Sequence, residues 1–309
     1  MIFKGNVPDQ EFMRSGHVAC PGCGGALAMK LALKALGKKT MIVLPACCWS
    51  IIDGPFPYSS VTVPLGHTAF ETGGSMASGV RAALDILGKK DITVMTWAGD
   101  GGTFDIGLQA LSGAAERQEN FIYVCYDNEA YMNTGIQRSS ATPWGAWTTT
   151  TPARKGEPKK NIMDIMVAHK VAYAATASVA YPDDLVRKLR KAKSVTGTRF
   201  IHIFAPCLPG WKTLPDLSIK LARQAVQSRY FPLYEVENGI KYTLNLPDPQ
   251  EPRNKPKSKV LSRPEILRQY IGVQGRFKGL SEEDIKNIEK NIDFSWEVLL
   301  NRCKIIKEK

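Results

Sequence analysis

The chain is expected to fold as a doubly wound, mostly parallel α/β sheet with a C-terminal appendage. Three observations predict it. Short apolar, strand-like runs alternate with helix-like stretches through most of the sequence. Residues 91–126 form a strand–helix–strand unit, and such a crossover implies parallel pairing. From about Leu214 the alternation stops. The expected division is therefore an α/β domain over 1–213 and an extension over 214–309, packed on the domain or on a partner. At 309 residues and 44% hydrophobic, the chain can fill one large core.

Taken in order, residues 1–19 read as an irregular arm. Gly24–Leu36 (GGALAMKLALKAL) predicts a helix closed by Gly37. Residues 40–45 (TMIVLP) predict a short buried strand, and Gly73–Leu87 a helix whose small residues allow close packing. Residues 91–97 (DITVMTW) predict a strand, Gly101 and Gly102 a lead into a helix through Arg117, and residues 120–126 (NFIYVCY) the next strand. The polar segment from Asp127 to about Lys160 is too long for a plain connection and points to a functional loop. Helices are expected near 161–169 and over Asp183–Ser194, with strands near 171–179 and, last, at 199–205 (RFIHIFA). Residues 247–264 are rich in proline and charge and read as a linker. Residues 281–302 predict an amphipathic helix.

The net charge is +12. A lysine-rich solvated surface explains it, and so does attraction to an acidic partner, since opposite charge speeds encounter. The basic residues are scattered and no nucleic-acid-binding signature occurs, so nucleic acid is not an expected partner. The start MIFKGNVPDQ lacks an export-type pattern, and no apolar run is long enough to span a bilayer. The expectation is a cytoplasmic protein away from membranes. Seven cysteines then suggest thiols or metal ligands rather than disulfides.

Cys20 and Cys23 form a C-x-x-C pair in ACPGCGG; Cys48 follows, and Cys207 lies in APCLPGW. Thiolates grip soft metals and iron–sulfur clusters. The pair alone is equally compatible with structural zinc, a redox dithiol or chance. Cys47 competes with Cys48, because neighbouring side chains in an extended segment point to opposite sides. Cys125 sits in an apolar strand pattern and reads as core, and Cys303 as unligated.

The strand at 91–97 runs into Gly99-Asp100-Gly101-Gly102, and the strand at 120–126 into Asp127-Asn128-Glu129-Ala130. Loops after parallel strands lie where such sheets bind ligands, and free N–H groups at a helix start favour phosphate. Asp100 could give a carboxylate, and Asn128 an amide oxygen, to one hard cation such as Mg²⁺. An ordinary glycine turn explains the first motif alone. The two motifs in this order favour a magnesium–diphosphate cradle.

These segments, GDGGTFDIGLQAL and CYDNEAYMNTGIQRSSATPWGA, resemble the thiamine-diphosphate motif of the pyruvate (2-oxoacid):ferredoxin oxidoreductases. With ACPGCGGAL, GHTAFETGGSMASGVRAAL, APCLPGW and YIGVQGRFKGLSEEDI, the chain looks like the beta subunit of their multi-subunit forms. The resemblance implies one [4Fe–4S] cluster on Cys20, Cys23, Cys48 and Cys207, with Cys48 preferred over Cys47. It implies Mg²⁺ on the side chains of Asp100 and Asn128 and the carbonyl of Ala130. Gly99, Gly101 and Gly102 would let the backbone approach the diphosphate, and Asn133 would face the substrate. The glutamate that activates thiamine diphosphate would come from an alpha subunit. Ferredoxin-like delta and gamma subunits would carry electrons to external ferredoxin, and coenzyme A would take the acyl group. The implied reaction is reversible oxidative decarboxylation, of pyruvate in the first instance. Another 2-oxoacid is the nearest alternative: 2-oxoisovalerate, an aryl pyruvate, 2-oxoglutarate, or oxalate without coenzyme A. More distant alternatives are a zinc-stabilised structural subunit and a thiamine enzyme without electron transfer.

His67, in GHTAFETGG, is expected near the cofactor as a polar contact. His17 could be mistaken for a zinc ligand, while His169 and His202 read as structural. The aromatics of WGAWTTTTP could cover the site or meet a partner.

Overall fold

The computed structural model describes residues 7–245 and 261–304. Its first half runs α1 (Gly24–Leu36), β1 (Thr40–Pro45), α2 (Cys48–Ile52), β2 (Leu65–Thr68), α3 (Gly73–Ile86), β3 (Thr93–Gly99), α4 (Leu108–Glu116) and β4 (Ile122–Asp127). Then come α5 (Ile162–Ala168), β5 (Tyr173–Ser178), α6 (Pro182–Ser194), β6 (Arg199–Phe204), α7 (Leu208–Trp211) and α8 (Ser218–Gln227). A hairpin, β7 (Tyr234–Glu237) and β8 (Lys241–Leu244), precedes α9 (Arg263–Gly272) and α10 (Glu282–Lys304).

All eight strands join one sheet, in the order β2-β1-β3-β4-β6-β5-β7-β8. The first six are parallel; β7 and β8 pair antiparallel at one edge. The central strands β4, β5 and β6 are buried along their whole length, which explains why they read as apolar runs without alternation. One face of the sheet is covered by α1 and α6, the other by α3, α4, α5 and part of α10. A third cluster joins α7, α8, α9 and α10 around Trp211, Tyr270 and Phe277.

Local chemistry accounts for the helix ends. Pro182 opens α6, with Asp183 and Asp184 in its first turn and Lys191 and Lys193 in its last, as the helix dipole favours. Ser262 and Glu265 form a capping box at the start of α9.

Three expectations need correction. The strand at 199–205 is not the last, because β7 and β8 extend the same sheet. They escaped notice because each is only four residues long. The helix expected from Gly101 to Arg117 is broken: residues Gly102–Ile106 make a wide turn of π-helix before α4. The short elements α2 and β2 were not foreseen, and of the linker expected at 247–264, residues 247–260 lie outside the described residues.

The hairpin is tied to the sheet through Glu235. Its carboxylate accepts from Tyr173 (2.7 Å), Arg187 (2.9 Å), Lys191 (2.9 Å) and Asn245 (2.7 Å). Burial alone would raise this carboxyl, but Lys191, Tyr173 and Arg187 outweigh it and hold it down at about 2. A carboxyl held below its ordinary value near 4.5 stabilises the fold above that value, and loses the contribution as pH falls towards about 2. Glu235→Gln should therefore lower the urea midpoint most at neutral pH. The difference from wild type should shrink steadily as titrations are repeated below pH 4.5.

Candidate functional site

Four adjacent parallel strands, β1, β3, β4 and β6, end on the same edge of the sheet. Each delivers one sequence-predicted residue within three positions of its end: Cys48 after Pro45, Asp100 after Gly99, Asn128 after Asp127 and Cys207 after Phe204. This is the carboxyl edge, where ligands bind in open α/β sheets.

The cation-ligand candidates meet. Asp100 is 1% exposed, and its Oδ2 accepts from Ser139 Oγ at 2.5 Å. One end of the Asn128 side-chain amide lies 2.9 Å from both Asp100 Oδ1 and the Ala130 carbonyl oxygen. Two acceptors facing one amide end can be satisfied in two ways. Either the amide nitrogen points there and donates to both, or its oxygen points there and a cation sits among three oxygens. Octahedral Mg²⁺ holds oxygens at 2.0–2.1 Å, so neighbouring ligands lie about 2.8–3.0 Å apart. The observed 2.9 Å spacing fits both arrangements, since it is also the ordinary N–H···O length. Burial and the nearby charge of Asp127 push the Asp100 carboxyl well above the usual carboxylate range, as expected of a buried acid lacking a counter-charge.

A cavity of about 130 Å³ opens beside these groups, lined by Gly99 to Gly102, Asn128, Ala130 and Asn133 among others. Two of the glycines are crowded by aromatic rings. A Cβ on Gly101 would come within 2.1 Å of the Tyr131 ring, and one on Gly102 within 3.1 Å of Phe70. Tyr131 is held there by its hydroxyl, which donates to Asp105 at 2.8 Å.

A second cavity, of about 230 Å³, is lined by Cys20, Cys23, Cys48 and Cys207. Cys47 is not on this lining; it borders the first cavity, with its thiol beside the Tyr126 hydroxyl. Backbone bonds bring the sulfurs together. The Cys23 N–H donates to the Cys20 carbonyl at 3.1 Å, and the Gly24 N–H to the Pro206 carbonyl at 3.0 Å. Only glycine fits at 24, since a Cβ there would lie 2.6 Å from the Pro206 nitrogen. Burial, helped by the neighbouring thiols, raises Cys48, and burial with Cys23 and Cys20 nearby pushes Cys207 up to about 12. Such thiols stay protonated until a metal displaces the proton. Among the described residues, no three His, Cys, Asp or Glu side chains are gathered so as to hold one metal ion. A cluster of several atoms spaces its ligands more widely than a single ion, and four soft donors facing one cavity suit it.

The two cavities share a wall: Cys48, Tyr126, Asn128, Met132 and Asn133 line both. His67 is not brought to this wall. Its Nε2 lies 3.4 Å from Asp53 Oδ2, and from the same segment Phe70 lines the first cavity. The other candidates are engaged elsewhere. Cys125 is buried in β4; His169 Nε2 is 3.0 Å from Ser112 Oγ; the exposed His17 is bonded to the Ala19 N–H. In WGAWTTTTP, Trp147 is covered by Lys212, whose Nζ is 3.2 Å from the ring centroid.

Sequence reading missed the charges behind the Asn128 turn. Asp127 accepts from Lys159 (2.5 Å) and His202 (2.8 Å); burial opposes this, yet both partners hold its carboxyl at about 2. Glu129 meets Lys159 (2.9 Å), Tyr230 (3.0 Å) and Arg276 (2.6 Å), and Trp211 Nε1 donates to the Asn128 carbonyl at 2.9 Å. Glu129 and Arg276 are 147 residues apart, and no local pattern joins them.

Residues 51–203 match the family model described as "Thiamine pyrophosphate enzyme, C-terminal TPP binding domain". The chain is 50% identical over 303 residues to ketoisovalerate oxidoreductase subunit VorB of Pyrococcus furiosus, covering 95% of this chain and 94% of that one. It is 46% identical over 292 residues to pyruvate synthase subunit PorB of Methanothermobacter thermautotrophicus, covering 93% and 96%. A 2-oxoglutarate:ferredoxin oxidoreductase structure from Magnetococcus marinus shares the fold, with a TM-score of 0.56 at 22% identity over 71% of this chain and 82% of that one. Near-full-length identity at this level decides the assignment. The chain belongs to the PorB and VorB family, the beta subunits of the multi-subunit 2-oxoacid:ferredoxin oxidoreductases.

Proposed function

We propose that this chain supplies the diphosphate half of a thiamine-diphosphate site and the proximal iron–sulfur centre of a 2-oxoacid oxidoreductase complex. The observation that carries the reading is the meeting of the Asn128 amide with Asp100 and the Ala130 carbonyl at 2.9 Å. In this reading Asp100, Asn128 and Ala130 hold Mg²⁺ against the diphosphate, and Gly99, Gly101 and Gly102 form the floor beneath it. Cys20, Cys23, Cys48 and Cys207 hold one [4Fe–4S] cluster. When bound, thiamine diphosphate serves as the electron sink that lets CO₂ leave a 2-oxoacid.

The residues of this chain bind and orient. Asn133 lines both cavities, which supports its role as the group facing the substrate. The shared wall at Cys48 and Tyr126 favours electron passage from one centre to the other over a short path. The activating glutamate is assigned to an alpha subunit, because Asp100, the one carboxylate among the described residues lining the first cavity, is taken by the cation. Delta and gamma subunits would carry electrons onward, and the net charge of +12 suits an acidic ferredoxin. Coenzyme A takes the acyl group.

Pyruvate is the first substrate to test. A branched 2-oxoisovalerate has a specific observation behind it: identity is 50% to a ketoisovalerate subunit and 46% to a pyruvate synthase subunit. Anaerobic assay of the assembled complex against both acids, with 2-oxoglutarate, aryl pyruvates and oxalate as controls, separates them by kcat/KM.

Anaerobic purification with the native partners should give a brown protein containing iron, sulfide and thiamine diphosphate. A colourless preparation with zinc would sink the iron–sulfur assignment and favour a structural zinc site. Asp100→Ala should abolish cofactor retention on gel filtration. Cys48→Ser should remove the cluster absorption and Cys47→Ser should leave it. Gly24→Ala forces a Cβ onto the Pro206 backbone. It should cost about 1–3 kcal/mol in stability and deplete iron, because the loop carrying Cys207 is pushed away from Cys23.

A further inference from the structure

Glu129 separates the two residues that present the Asn128 and Ala130 oxygens, and its backbone is left-handed, with φ of 68°. A non-glycine residue keeps such a conformation only where its surroundings over-determine it. Here they do. The Glu129 N–H donates to Asp127 Oδ1 at 2.9 Å, and Thr142 Oγ1 donates to the Glu129 carbonyl at 2.8 Å. Its carboxylate is fully enclosed by Lys159, Tyr230 and Arg276. Arg276 is 3% exposed and reaches the turn twice. It pairs with Glu129 at 2.6 Å, and its guanidinium lies 4.0 Å from the centroid of Trp211, which donates to the Asn128 carbonyl.

We propose that Arg276 and Glu129 are a buried positioning pair that fixes the spacing of the cradle oxygens and so selects a small, rigidly octahedral cation. The inference rests on the cation reading given above and extends it to the C-terminal segment. Neither side chain touches the cation. They act by holding the turn, as outer partners hold the ligands of metal sites. Mg²⁺ demands near-ideal geometry, whereas Ca²⁺ accepts longer and more variable contacts. Loosening the turn should therefore weaken Mg²⁺ more than Ca²⁺.

The test uses the assembled oxidoreductase and measures thiamine diphosphate retention and turnover against Mg²⁺ and Ca²⁺. Glu129→Gln should raise the Mg²⁺ needed for half-maximal retention roughly 10- to 100-fold. The preference for Mg²⁺ over Ca²⁺ should narrow, while kcat at saturating Mg²⁺ stays near wild type. Arg276→Ala should show the same loss, and Arg276→Lys, which keeps a charge opposite Glu129, should show less of it. A folded Glu129→Gln complex with the wild-type Mg²⁺ to Ca²⁺ ratio and only a lower melting temperature would overturn the proposal. If Glu129→Gln does not accumulate folded, Tyr230→Phe, which removes one hydroxyl, decides between the same two results. A wild-type complex that retains thiamine diphosphate without any divalent cation would overturn the cradle itself, a result distinct from unchanged selectivity.

Discussion

Parallel strand pairing places most of the chemical groups of this site. Strands β1, β3, β4 and β6 lie side by side and point the same way, so the loops that leave them emerge on one edge. Residues far apart in sequence, such as Cys48 and Cys207, become neighbours without any contact designed between them beforehand. The register holds the arrangement: Gly99 stands opposite Tyr126, and Asp127 opposite Phe204. Asp100 and Asn128 leave the middle two strands, and Cys48 and Cys207 leave the outer two, so oxygen-bearing and sulfur-bearing side chains sort to different parts of one wall.

Such an edge concentrates polar groups inside the protein, and the structure balances them. Asp127 and Glu129 are enclosed, and Lys159, His202, Tyr230 and Arg276 surround them. Burying a charge without a partner is expensive, and removing one member of such a pair costs about 3–5 kcal/mol. Asp100 is treated differently. It has a hydroxyl and an amide for company and makes no ion pair, and burial with the nearby Asp127 pushes its carboxyl up, where Asp127 is held down. The contrast between two aspartates on adjacent strands separates the structural carboxylate from the one free to take a ligand.

Much of this was legible in the sequence. The apolar runs gave the strands, and the glycine-rich motif after one strand, with the asparagine after the next, marked the edge. The family pattern distinguished Cys48 from Cys47. What stayed hidden depended on tertiary contacts. The strands β7 and β8 are too short to show a period. The pairing of His67 with Asp53, and the presence of Phe70 on the cavity lining, depend on the loop's path and show no local pattern. The charge network could not be read at all. Glu129 looks like one more polar residue in a loop, and its partners come from the far end of the same loop, from the segment between α8 and β7, and from the region after α9.

The Asn128 amide has two ends, and their chemistry differs. With the nitrogen inward, Asp100 and Ala130 each gain a donor, and no acceptors are left facing one another. One side-chain amide thus satisfies a buried carboxylate and a buried carbonyl from two adjacent strand ends at once.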